Sequence, residues 1–133
     1  MGASENKQLV GDVFAAWAAG DGKAFFNLLA DDVRWTVIGT GPISATYGSK
    51  KQFFDGATRP LAAKLRGLII PKVTNLIADG DYVVAQWEGD ATMTSGQPYH
   101  QTYCWVMRLL DGKVKEGTAY LDTELLADVF KSP

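Results

Sequence analysis

The stretch YVVAQWEGDATMTSGQPYHQTYCWVMRLLDGKVKEGTAYL, residues 82–121, decides how this chain folds. It is rich in β-branched and aromatic residues, and Ser95-Gly96 and Asp111-Gly112 punctuate it where hairpin turns belong. The pattern predicts strands over Tyr82 to Thr94, Tyr99 to Leu109 and Lys113 to Leu121. A further strand, Leu68 to Ala78, joins them through Asp79-Gly80, so the second half of the chain reads as an antiparallel meander.

Working outward, the first half reads as helices. Leu9, Val13, Phe14 and Trp17 recur at helical spacing over Ser4 to Ala19, with Ser4 placed as the cap. Gly20-Asp21-Gly22 ends that helix, and Asp21 is placed to cap a short second one carrying Phe25, Phe26, Leu28 and Leu29. A first strand runs from Val33 to Ile38. Ser49 begins a third helix with an apolar stripe through Phe53, Phe54, Ala57, Leu61 and Leu65, and Pro60 marks a break inside it. Thr123 to Phe130 forms a last helix. Helices first and an antiparallel sheet after them define a segregated α+β domain over 1–133.

Composition narrows the function. Thirteen basic and fifteen acidic residues nearly cancel, and no basic run exists to neutralise phosphates, so nucleic acid and anionic membrane surfaces are poor partners. With one cysteine, Cys104, and one histidine, His100, the sequence offers neither an internal disulfide nor a zinc-ligand cluster, and no cofactor is expected. The glycines are turn residues rather than a phosphate loop. The N-terminal residues lack the pattern of a secretory signal, and the expected location is the cytoplasm.

Several segments carry a resemblance: Ala-Ala-Gly-Asp (18–21), Leu-Ala-Asp-Asp-Val-Arg-Trp (29–35), Tyr-Gly-Ser (47–49), Tyr-His-Gln-Thr-Tyr-Cys (99–104), Asp-Gly-Lys-Val (111–114) and Tyr-Leu-Asp-Thr (120–123). In order and spacing the chain resembles the nuclear transport factor 2-like superfamily, in its SnoaL-like and ketosteroid-isomerase-related branch. That resemblance implies a cone, a curved sheet wrapped by helices around an internal pocket for a small hydrophobic molecule, usually in a dimer. It fixes no single activity. Where ketosteroid isomerases carry their catalytic tyrosine and two aspartates, the matching positions hold Val13, Val37 and Trp105, which excludes that mechanism. Where limonene-epoxide-hydrolase-like enzymes hold an arginine between two aspartates, the matching positions hold Gln86, Glu88 and Ala119, so one carboxylate survives.

Turn lengths orient the strands. A two-residue Ser95-Gly96 turn places Gln86 opposite Trp105, Glu88 opposite Tyr103 and Asp90 opposite Gln101. A three-residue loop at Leu110-Asp111-Gly112 places Trp105 opposite Gly117, Tyr103 opposite Ala119 and Gln101 opposite Leu121. The expected pocket wall is then Trp17, Trp35, Val37, Gln86, Gln101, Tyr103, Trp105, Ala119 and Leu121, with Tyr47 at the rim. Simple alternation points the other way on one strand, because Ala85, Trp87, Gly89, Ala91 and Met93 are its apolar set. A homodimer through the convex sheet face, using Trp87, Ala91, Met93, Cys104 and Val106, reconciles the two.

Two carboxylates are catalytic candidates. Glu88, turned into an apolar cavity, would have a raised pKa and serve as a general acid or base. Asp122 matches the late-strand aspartate of polyketide cyclases, and its alternative role is to cap the last helix. His100 and Cys104 fall on the convex side. The expected function is a cofactor-independent isomerase or cyclase moving a proton on a hydrophobic carbonyl or polyketide-like compound. The alternative is a non-catalytic ligand-binding or dimerisation module.

Overall fold

The computed structural model describes residues 2–131. Helix α1 (Ala3–Ala18) starts one residue earlier than expected: Gly2 is the cap residue, and the Glu5 carboxylate accepts its N–H in place of any bond to Ser4. A short α2 (Ala24–Leu28) follows, entered through a turn in which Asp21 Oδ1 accepts the Lys23 N–H. The chain then runs through β1 (Leu29–Val37) and β2 (Ala45–Tyr47). Next comes α3 (Lys50–Phe53), which Ser49 caps as expected, its hydroxyl accepting the Gln52 N–H at 3.0 Å.

The break expected near Pro60 is real, and it takes the form of a π-helical turn, Phe54–Thr58, leading into α4 (Arg59–Ala62). Proline supplies no N–H and its ring crowds the preceding turn, so widening the helix just before it relieves both problems. Gly56 lies in this turn under the Tyr47 ring, where a Cβ would come within 2.5 Å of a ring carbon.

The remaining strands are β3 (Leu65–Asp79), β4 (Tyr82–Met93), β5 (Pro98–Leu110) and β6 (Lys113–Leu121), and α5 (Thr123–Lys131) closes the described chain. One six-stranded sheet orders them β2-β1-β6-β5-β4-β3. The meander is antiparallel as expected. The β1–β6 pair is parallel, so the sheet is mixed rather than wholly antiparallel. That pairing joins the two ends of the chain, and no turn in the sequence announces it. Helices α1 to α4 cover the inner face.

Both hairpins depart from the expected loop lengths. The β4–β5 connection is a three-residue loop, Thr94-Ser95-Gly96, closed by a Met93 N–H to Gln97 carbonyl bond of 2.8 Å. Gly96 takes φ +94°, the left-handed position that such a loop needs after its type I turn. The register therefore slips by one residue: Ala85 faces Trp105, Trp87 faces Tyr103 and Glu88 faces Thr102. A one-residue slip turns every side chain to the other face. At β5–β6 the loop is the two-residue Asp111-Gly112, both at positive φ, and a bulge between Arg108 and Leu109 adds a second one-residue shift in the same direction, so the pairing moves by two and each residue keeps its face. Trp105 meets Ala119 and Tyr103 meets Leu121, so the expected inward face of these two strands survives with its partners shifted.

The slip on β4 redistributes the five residues expected on the convex face. Trp87 and Met93 are buried inside the single chain, and Ala91 packs against an inner cluster of Leu65, Met93, Tyr99 and Val129. Only Cys104 and Val106 of the five expected interface residues lie on the outer face, each half-buried.

Candidate functional site

Inside the cone lies a cavity of about 190 Å³, walled almost entirely by apolar side chains. Strands β1, β5 and β6 contribute Trp35, Val37, Tyr103, Trp105, Ala119 and Leu121, and α1 contributes Trp17, all as expected. Trp87 joins them from β4. Phe25, Phe26 and Phe53 come from the helices, while the exposed Leu68, with Gly22 and Gly67 beside it, marks the rim.

The wall is an aromatic lattice. Trp87 stacks on Tyr103 with centroids 4.0 Å apart and planes within 10°, and it meets Trp105 edge to face at 4.8 Å. Trp105 meets Trp35 edge to face at 5.0 Å and lies 4.6 Å from Phe25. Such offset and perpendicular contacts suit the ring quadrupoles and add to what area burial contributes. Small residues make room: a Cβ on Gly117 would land on the Trp35 ring, and one on Gly89 would meet Ile69, Trp87 and Tyr103.

The expected polar residues are elsewhere. Glu88 points to the outer face, where it and Asp90 flank His100: Glu88 Oε1 is 3.0 Å from Nε2 and Asp90 Oδ1 is 2.5 Å from Nδ1. These bonds, Asp90's first and Glu88's second, raise the imidazole pKa above its ordinary value. Gln86 also faces outward and bonds Asn75. The register slip is the reason for both. Asp122 takes its alternative role, since Oδ1 accepts the Leu125 N–H at 3.0 Å and caps α5. Glu88 and Asp122 border a separate, more open depression, which Gln86, Thr102, Cys104 and Tyr120 also line, instead of the cavity. Tyr47 packs on Phe53 and donates to the Ile43 carbonyl at 2.7 Å, so its hydroxyl is committed to the backbone.

Gln101 is fully buried and serves as a structural lock. Its Oε1 accepts the Asp122 and Thr102 N–H groups at 2.9 and 3.0 Å, and its Nε2 donates to the Asp122 carbonyl at 3.0 Å and the Tyr99 hydroxyl at 3.2 Å. All four hydrogen-bonding sites of the amide are used, so none is left for a ligand. The Tyr99 hydroxyl in turn lies 3.3 Å from that of Tyr103. Burial, reinforced by Tyr99, holds the Tyr103 hydroxyl well above the ordinary tyrosine range, so it stays protonated.

Thr58 and Tyr103 bring the only side-chain hydroxyls to the cavity wall, and no Asp, Glu, His, Lys or Arg lines it among the described residues. The helix residues Phe25, Phe26, Phe53 and Thr58 were not among those expected in the wall, and on the sheet the aromatic ring that sequence reasoning missed is Trp87. Its signal was present, since Trp87 belongs to the apolar set of its strand.

Comparison with known proteins agrees with this architecture. No curated protein sequence matches the chain. A nuclear transport factor 2-like protein from Burkholderia thailandensis superposes with a TM-score of 0.79 at 25% identity, over 100% of each chain. A proposed SnoaL-like polyketide cyclase from Jannaschia gives 0.74 at 19% identity, covering 98% of this chain and 94% of its own. A ketosteroid-isomerase-like fold from Catenulispora acidiphila, crystallised with trimethylamine, gives 0.71 at 17% identity, covering 94% and 93%. The SnoaL-like domain model matches residues 10–117, and with the cone and its aromatic interior in place the chain belongs to the SnoaL-like domain family.

Proposed function

We propose that this domain binds a small, flat, neutral molecule of one or two rings in its aromatic cavity, and that it does so without acid–base catalysis. The observation that carries the reading is the cavity wall, which holds no carboxylate, imidazole, ammonium or guanidinium group among the described residues. A proton-transfer isomerase or cyclase needs a group that ionises near neutral pH within reach of the substrate carbon. Glu88 and Asp122 lie outside, and the buried Tyr103 hydroxyl is too weak an acid to serve as a base at neutral pH. The Jannaschia protein's description as a cyclase therefore does not transfer through these residues. Size supports the same reading: an apolar cavity of roughly 150 Å³ accepts benzene, and this one is somewhat larger, at about 190 Å³.

The test is titration with the hydrocarbon indane, followed by tryptophan fluorescence, in the native protein and in Ala119→Leu. Ala119 faces Trp105 across the β5–β6 pair, and a leucine there fills the cavity. Saturable binding that weakens at least tenfold in the folded variant is the expected result. Absence of indane binding to the native protein refutes the proposal.

A further inference from the structure

Exposure marks the way into the cavity. Among the described residues that line it, only Gly22, Ala62, Gly67 and Leu68 are exposed, and every other is buried or half-buried. The four come from three places: the turn before α2, the end of α4 and the start of β3. Two are glycines and one is alanine, so Leu68 is the one large side chain among them. It reaches across to the turn before α2, since a Cβ on Gly22 would stand 2.8 Å from Leu68 Cδ2 and 3.2 Å from Cδ1.

The backbone that carries Leu68 is set apart from the sheet. Arg66 pairs with Thr92 and Ile70 with Asp90, so residues 67–69 bulge opposite Ala91 alone and have no partners in the ladder. Gly67 opens this bulge at φ +76°, a left-handed conformation that suits glycine, and a Cβ there would meet nothing within 4 Å. Leu68 itself stays 46% exposed beside an apolar cavity. A segment outside the ladder, with its main side chain half in solvent, moves at less cost than the paired strand on either side.

We infer that ligands enter and leave the cavity through the opening between Gly22, Ala62 and Gly67, and that Leu68 is its gate. The inference rests on the binding reading above and adds how access to that site is controlled. With Leu68 resting on Gly22 the side chain narrows the opening; with Leu68 turned away, the exposed border holds nothing larger than alanine. A gate obstructs entry and exit alike, so it sets both rates and leaves the dissociation constant nearly unchanged.

Stopped-flow tryptophan fluorescence tests this by following indane binding in the native protein, in Leu68→Ala and in Ile70→Ala. Ile70 is equally exposed on the same strand, at 46%, and lines no part of the cavity. The association and dissociation rate constants are expected to rise together in Leu68→Ala, by about fivefold or more, and to keep their native values in Ile70→Ala. An association rate constant unchanged in Leu68→Ala overturns the inference, because faster dissociation alone would mark Leu68 as a ligand contact. An equal rise in both variants also overturns it, since that reports a loosened β3. If indane does not bind the native protein, the binding reading fails, and acrylamide still tests the opening: all four tryptophans, Trp17, Trp35, Trp87 and Trp105, line the cavity. Their quenching rises in Leu68→Ala alone if Leu68 guards the way in, and equal quenching in the three proteins refutes the gate.

Discussion

Gln101→Leu is expected to be among the most damaging single substitutions in the sheet, although residue 101 touches no ligand. Leucine is apolar and one atom shorter than glutamine, and it leaves the Asp122 N–H and carbonyl, the Thr102 N–H and the Tyr99 hydroxyl without their present partner. Each unpaired buried group costs about 1–3 kcal/mol, and because the Thr102 and Asp122 groups lie at the edge of the core, where water can reach some of them, a total of about 3 kcal/mol is the working figure. At about 2.1 cal/mol/K of unfolding entropy per residue, a chain of this length loses about 11 °C in Tm for that change. Urea unfolding followed by circular dichroism measures it. Unfolding free energy within about 0.5 kcal/mol of the native protein would refute the lock.

Other consequences of the structure are equally direct. Gly117→Ala drives a methyl group into the Trp35 ring, and a loss of about 2 kcal/mol is expected from overpacking, together with a changed near-ultraviolet dichroism of the tryptophans. The His100 imidazole has a raised pKa because Asp90 and Glu88 hold its charged form; its contribution to stability is complete below the ordinary histidine pKa and is lost as pH rises through the raised folded value. An NMR titration of the His100 ring should show the pKa falling in Asp90→Asn and, by less, in Glu88→Gln, and equal values in all three proteins would contradict the bridging geometry.

Much of this fold was legible in the residues because local signals agreed with one another. Ser49 and Asp122 cap helices by the same chemistry that marks them in the sequence, and β6 spans the residues that its turn and alternation predict. The wall formed by β5 and β6 was readable too, for an accidental reason: a loop one residue shorter than expected and a bulge each shift the register by one residue, and the sum of two preserves parity. On β4 two signals conflicted. Ser95-Gly96 alone reads as a complete two-residue turn, whereas Gly96 is the left-handed third residue of a longer loop, and the alternation of Ala85, Trp87 and Gly89 is the better guide. A strand with one buried face resists slipping because every apolar side chain is at stake, while a turn costs little to lengthen. Gln101 was misread for a different reason, since a buried amide serving the backbone and one serving a ligand have the same sequence. The parallel β1–β6 pairing is non-local and left no mark in either strand.

The register of β4 puts Trp87 in the wall of the cavity and Glu88 outside it. The dissociation constant of indane measured from pH 5 to 9 in the native protein and in Glu88→Gln tests it most directly. A constant that stays within about twofold across the range and between the two proteins is predicted, because no group that titrates there lines the wall. Affinity that changes tenfold or more with a single titration, and loses that dependence in Glu88→Gln, would place the carboxylate inside and contradict the register of β4.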